Sequence, residues 1–225
     1  MFNTHCSRRL FILGGASLAG LGLAGCTTAN QPAPTLGLSD DDAKLFALNY
    51  SALPHEQFPI PAVPPEKLAP AFRRTRIAYN TREPVGTLIV DTPNFYLYHV
   101  EESGMATRYG VGLGRAGFEW SGRATVAWKR PWPTWTPPEE MIQREPNLRK
   151  WSAQNGGMPP GLQNPLGARA LYIFQGNVDT LYRLHGTNNP ASIGRAVSSG
   201  CVRLVNQDVI HLFNNVKNGS QIVVI

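Results

Sequence analysis

A thiol and an imidazole are enough to break an acyl bond: the sulfur attacks the carbonyl carbon and the ring takes its proton. This chain offers one such pair outside its amino-terminal leader. Cys201 lies in Val197-Ser198-Ser199-Gly200-Cys201-Val202-Arg203-Leu204, and His185 opens His185-Gly186-Thr187-Asn188-Asn189, sixteen residues upstream. Three cysteines are present, but Cys6 and Cys26 belong to the leader and its boundary, so Cys201 has no intramolecular partner. An unpaired thiol is uncommon in an exported protein, because oxidising compartments draw thiols into disulfides. Cys201 is therefore either buried and inert, as lone cysteines commonly are, or kept free because it reacts. Gly200 lets the backbone approach a substrate closely, and a turn over Ser199-Gly200-Cys201 could aim amide N–H groups at an acyl oxygen as an oxyanion hole. Arg203 could pair with Asp208 or hold a substrate carboxylate through two parallel hydrogen bonds. A metal site on His185 and Cys201 lacks any further Cys or closely spaced His, so the pattern calls for no metal.

The elements that must position this pair are mostly strands. From about Thr87 the sequence becomes short, alternating, β-branched and aromatic runs, which predict strands over 87–91, 95–100, 107–113, 123–129, 169–175, 180–185 and 221–225. Pro93-Asn94, Ser103-Gly104 and Gly176-Asn177 are turn signals between neighbouring runs. His185 then stands at a strand end, where a sheet can fix it beside a cleft. Val209, Leu212, Phe213 and Val216 recur at helical spacing and predict a carboxy-terminal helix over 206–217, with a second helix before Trp151. His99 reads as a strand residue and His211 as a helix-surface residue. Residues 130–167, with Trp132, Trp135 and Trp151 among many prolines, form a long stiffened excursion between strands. Such an excursion is either a wall beside the site or a loop whose indoles plug the core edge, and we read it as a wall.

The amino-terminal part has a different character. Arg8 and Arg9 precede an apolar run over 10–25, then Cys26. This is an export signal, and its sixteen apolar residues fall short of the ~20 that a membrane span needs. Ser7-Arg8-Arg9-Leu10-Phe11-Ile12 resembles a twin-arginine signal, and Leu23-Ala24-Gly25-Cys26 resembles a lipobox, which would make Cys26 a lipidated first residue. Residues 26–85 read as a tether followed by a Pro-rich segment wrapped over the domain surface. Within them Ser39 caps a short helix whose first turn holds Asp40, Asp41 and Asp42. Of 21 basic and 15 acidic residues, 86–225 carries thirteen and nine, a net +4 that suits an anionic polymer. Export and the lack of any Lys/Arg run interleaved with aromatics exclude nucleic acid as partner.

His185-Gly186, Ile193-Gly194 and Ser199-Gly200-Cys201-Val202-Arg203, with Asn164-Pro165-Leu166-Gly167 upstream, closely resemble the L,D-transpeptidase catalytic domain (the YkuD-like family) over roughly 85–225. Many members have Ser-His-Gly-Cys where this chain has Ser198-Ser199-Gly200-Cys201, so His185 is left as the candidate base. The resemblance implies a mainly β fold, an L,D-transpeptidase-like β-sandwich with the Trp/Pro-rich lid excursion and a C-terminal helix. It implies a leader over 1–25, a tether and wrapping segment over 26–85 and a catalytic domain over 86–225. It also implies peptidoglycan chemistry without cofactor: Cys201 as nucleophile, His185 as general base and acid, and the Gly186 carbonyl orienting the imidazole. Cys201, Gly200 and Ser199 would supply the oxyanion hole, and Arg203, Asn188, Trp132 and Trp135 would contact substrate. Peptidoglycan stem peptides would be donors, with a second stem, an envelope protein or water as acceptor. Water would make the protein an L,D-carboxypeptidase, and a wall-binding lipoprotein without catalysis is the remaining reading. The expected location is the periplasm, by a lipid anchor in the outer membrane.

Overall fold

Alternating side chains dictate the architecture, because each strand sends every second residue inward and those residues must find a common core. The computed structural model describes residues 39–114, 121–198 and 201–225. Its strands are β1 (Thr75–Ala78), β2 (Leu88–Asp91), β3 (Tyr96–Val100), β4 (Met105–Gly110), β5 (Gly112–Gly114) and β6 (Gly122–Pro131). They continue as β7 (Arg169–Gln175), β8 (Val178–Thr187), β9 (Ala196–Ser198), β10 (Val202–Val205) and β11 (Gln221–Val224). One sheet joins them in the order β1-β4-β3-β2-β11-β6-β7-β8-β10-β5-β9. The sheet folds over on itself: Leu88, Val90, Leu97 and Tyr109 from one half share a core with Leu171, Leu184, Val202 and Leu204 from the other. The expected mainly β sandwich with a carboxy-terminal helix is what forms.

That helix, α3 (Asn206–Asn215), buries Val209 and Leu212 in the same core. Lys129 donates from Nζ to the carbonyls of Phe213 and Val216, which have no partner within the helix, and places a cation at its negative end. His211 on α3 is half-buried, its Nδ1 paired with the Tyr109 hydroxyl at 2.8 Å rather than left at the helix surface. Among the amino-terminal residues, α1 (Asp40–Tyr50) forms with Ser39 as N-cap, its hydroxyl accepting from the Asp42 N–H. Phe46 and Tyr50 of α1 bury with Val63, Leu68, Ile193 and Val205. Tyr50 donates to Asp208, whose carboxylate pairs with Arg74 at 3.2 Å. Asp208 thus takes its cation from the amino-terminal segment, and not from Arg203.

Three departures from the sequence reading have physical reasons. The segment read as wrapping also supplies β1, an edge strand paired antiparallel with β4. Its half-exposed run Thr75-Arg76-Ile77-Ala78 carries too little apolar alternation to stand out. The run 107–113 breaks at Val111, where the chain leaves β3 to pair with β10 through β5. Strands β9 and β10 are three and four residues long, too short for a periodic signal. The helix expected before Trp151 is α2 (Glu139–Arg144), inside the 130–167 excursion.

Candidate active site

Strand β10 lies parallel to β8 in the register Val202↔Leu184, Arg203↔His185, Leu204↔Gly186 and Val205↔Thr187. Leu184, Val202 and Leu204 fill the core, so His185, Arg183, Cys201 and Arg203 belong to the opposite face. Cys201 directly precedes β10, which sets it beside Arg183 and diagonal to His185. The pairings Trp128↔Tyr172 and Tyr172↔Arg183 extend that line across the sheet, giving one row Trp128, Tyr172, Arg183, Cys201. Two residues along runs a second row, Arg130, Ala170, His185, Arg203. The sequence separation of sixteen residues is thus closed by a parallel strand pair.

His185 is 4% exposed. Its Nδ1 lies 2.8 Å from the Gly186 carbonyl, which can only accept, so Nδ1 carries the proton and Nε2 keeps the lone pair. Burial pushes the imidazole down to about 4. The Gly186 and Pro165 carbonyls oppose that shift, and the Arg203 and Arg183 charges add to it. At neutral pH the ring is an uncharged base. Gly186 is obligatory here: a Cβ would fall 2.2 Å from Asn206 Oδ1, which accepts from the Ala168 N–H. Any side chain would displace the Asn206 amide from the Ala168 N–H that it holds beside the strand carrying the imidazole.

Cys201 is a free, half-buried thiol whose carbonyl accepts from the Gly114 N–H of β5 at 3.1 Å. Burial pushes the thiol up, while a backbone hydrogen bond from Arg183 and the charges of Arg183 and Arg203 work to lower it. Thiol and imidazole are therefore both neutral at rest, and the thiol needs a base at the moment of attack. Arg183 is held by Asp179 through two hydrogen bonds of 2.7 Å and lies over the Tyr172 ring at 4.4 Å. Arg203 is half-buried, and no carboxylate pairs with it among the described residues. Ser199 and Gly200, expected in the oxyanion hole, lie outside the described residues, as does Cys26.

The excursion is tied to the site by polar bonds. Asn164, 1% exposed, donates from Nδ2 to the carbonyls of Pro133, Met158 and Pro159, and its Oδ1 accepts from the Leu166 N–H. Leu166 in turn accepts from the Gly186 N–H at 3.0 Å. Asn188 donates one amide N–H to the Leu162 carbonyl, which links the loop after β8 to the excursion, and its side chain stays exposed. Trp132, also expected at the substrate, is 6% exposed: it packs on Phe58 and donates to Glu56 at 2.9 Å, because its role is to close the excursion's root. Trp135 remains half-exposed and bridges to Met158. The amino-terminal segment braces the loop before Cys201 as well. Gly194, at φ +77°, lies under the Phe72 ring so closely that a Cβ would fall 2.0 Å from it.

Sequence reasoning missed Arg183, Asp179, Asn164, Phe72 and Glu56 as parts of this arrangement. Asn164 is visible only as a member of a motif, Phe72 and Glu56 act through contacts distant in sequence, and the Asp179–Arg183 pair, four residues apart, reaches Cys201 only across the strand pairing. Among the described residues no group of three or more His, Cys, Asp or Glu could hold a metal, and no helix is long and apolar enough to cross a membrane.

The chain is similar to several known proteins. The family model for the YkuD L,D-transpeptidase catalytic domain matches residues 86–225. A probable L,D-transpeptidase of Escherichia coli, ErfK/SrfK, is 36% identical over 148 residues, which is 61% of this chain and 43% of that protein. A structure described as a probable carnitine operon oxidoreductase from Brucella melitensis is 42% identical, covering 72% of this chain and 98% of that one, with a TM-score of 0.49. An L,D-transpeptidase structure from Xylanimonas cellulosilytica is 17% identical over 64% of this chain and 63% of that one, with a TM-score of 0.43. The chain spans less than half the length of the curated Escherichia coli relatives it matches. With the family model covering 86–225, well over half the sequence, this chain belongs to the L,D-transpeptidase catalytic-domain (YkuD) family.

Proposed function

We propose that the protein is a cysteine-dependent peptidoglycan L,D-transpeptidase. The observation that carries this reading is the β8–β10 register, which puts Cys201 and His185 on one face, diagonal to each other, with the imidazole neutral. The donor is a tetrapeptide stem, cut between the L-centre of its third, diamino acid residue and the terminal D-Ala. Nε2 of His185 takes the thiol proton as Sγ of Cys201 bonds to the carbonyl carbon. The oxyanion so formed is stabilised by the Cys201 N–H with that of Gly200 or Ser199, a contribution of about 3–4 kcal/mol. The imidazolium then gives its proton to the departing D-Ala amine as the C–N bond breaks, leaving a thioester. An acceptor amine attacks that thioester, and its proton returns by way of His185 to the thiolate. Arg203, which has no carboxylate partner among the described residues, holds a donor carboxylate, and Trp135 lines the donor side.

The acceptor is a second stem, giving a 3→3 crosslink, or an envelope protein. Cys26 carries the lipid, and 27–38 spaces the domain from the outer membrane inside the periplasm. The test is mass spectrometry of peptidoglycan after incubation with the purified protein. Crosslinked dimers or peptide–protein conjugates are expected, none of them with Cys201→Ala. Free tripeptide alone would make the enzyme a carboxypeptidase, and unchanged peptidoglycan would overturn the reading.

A further inference from the structure

The row that ends at Cys201 begins at an exposed tryptophan, and catalysis as derived above does not use it. Trp128 of β6 is 38% exposed and stacks on Tyr172 with ring centroids 3.5 Å apart and planes 12° from parallel. A β-bulge between Val126 and Trp128 turns the indole to the outer face while Val126 stays in the core. Tyr172 is in turn covered by Arg183, which Asp179 fixes. The platform is therefore rigid from the thiol outward. Arg130, exposed on the same face two residues on, lies over the Trp128 ring with its guanidinium carbon 6.0 Å from the centroid, and no carboxylate pairs with it among the described residues.

We infer that Trp128, with Arg130 beside it, is a subsite for the sugar ring that bears the donor stem. The indole, held against Tyr172 on one face, offers its exposed remainder to the C–H bonds of a pyranose, and the Arg130 guanidinium offers donors to the acetamido and lactyl oxygens. The spacing fits. Trp128 stands three strand spacings from Cys201, about 14 Å. Three extended residues between sugar and scissile carbonyl reach about 10–11 Å, and the lactyl link and the γ-linked acidic residue add the remainder. A sugar on Trp128 thus lets the stem run along Tyr172 and Arg183 to the thiol. The inference rests on the proposed donor and names which part of it the enzyme grips at a distance.

Two donors separate the outcomes: a disaccharide-tetrapeptide and the free tetrapeptide. Trp128→Ala is expected to raise KM at least fivefold for the disaccharide donor and to leave the free tetrapeptide within twofold, with Trp128→Tyr recovering most of the loss. Equal losses on both donors, or no loss on either, would overturn the subsite. Binding of the peptide-free N-acetylglucosamine–N-acetylmuramic acid disaccharide to the Cys201→Ala protein, followed by NMR of the indole N–H groups, is independent of turnover. The Trp128 resonance should shift, and the shift should vanish in Trp128→Ala. No shift at Trp128 would overturn the subsite even if the transpeptidase reading stands, and a shift in a protein that turns over neither donor would keep the subsite while sinking that reading.

Discussion

If His185 is the base, the pH dependence of Cys201 acylation should be displaced far to the acid side. The ring's burial and the neighbouring Arg203 and Arg183 hold it at about 4. An ordinary imidazole with a pKa of about 6.5 is neutral in only about 3% of molecules at pH 5, whereas one at about 4 is neutral in about 90%. The acylation rate should therefore fall by less than twofold between pH 7 and pH 5, where an unperturbed base would lose about 25-fold. Intact-mass measurement of carbapenem adduct formation on Cys201, sampled from pH 4 to 8, reads this directly. His185→Ala should drop the neutral-pH rate by roughly 10²–10⁴ and abolish the plateau. A limb centred near 6.5 would refute the burial argument. A tenfold rise per pH unit through neutrality in the wild type would refute the base itself, because it would mean attack by a pre-formed thiolate without His185.

Other expectations follow from the packing. Asn164→Ala leaves the buried Pro133 carbonyl and the Leu166 N–H without their partner and takes a donor from Pro159 and Met158, the latter keeping the Trp135 N–H. It should cost about 2–4 kcal/mol, seen as a fall of roughly 5–15 °C in the melting midpoint. Phe72→Ala removes the ring over Gly194 and should slow acylation about tenfold or more at temperatures where the protein remains folded, with Phe72→Leu in between; an unchanged rate would show that the loop before Cys201 holds itself. Asp208 is raised to about 7, chiefly by burial, with Arg74 opposing. A folded pKa above the unfolded value means stability present at acid pH and lost as pH rises through about 7. Between pH 6 and 8 the wild type should thus lose about 1.4 kcal/mol relative to Asp208→Asn in denaturant titrations.

Much of the fold was legible because long alternating strands and the α3 periodicity are local signals. Seven strands were expected and each has a counterpart, whereas β1, β9 and β10 were not seen. The missed ones are short or charged, and they exist because neighbours already present an edge to pair with. The Cys201–His185 pair could be read from residue chemistry and motif, but its geometry could not, since β10 sets it through a parallel register that no local pattern announces. Trp132 shows what residue type alone does not reveal. An aromatic residue near a motif looks like a ligand contact, and here Phe58 packs on its ring and Glu56 accepts from its indole N–H. Glu56 and Phe72 lie in a proline-rich stretch whose sequence gives only its irregularity, and Glu56 finds its partners, Trp132 and Arg169, 76 and 113 residues away.

The central claim is that Cys201 carries the acyl group. Rapid quenching after mixing the protein with a tetrapeptide stem, followed by intact-mass analysis and peptide mapping, measures it most directly. A tripeptidyl mass on the peptide containing Cys201, formed together with free D-Ala and absent in Cys201→Ser, is the predicted result. Release of D-Ala or formation of crosslinks by Cys201→Ser at the wild-type rate would contradict it.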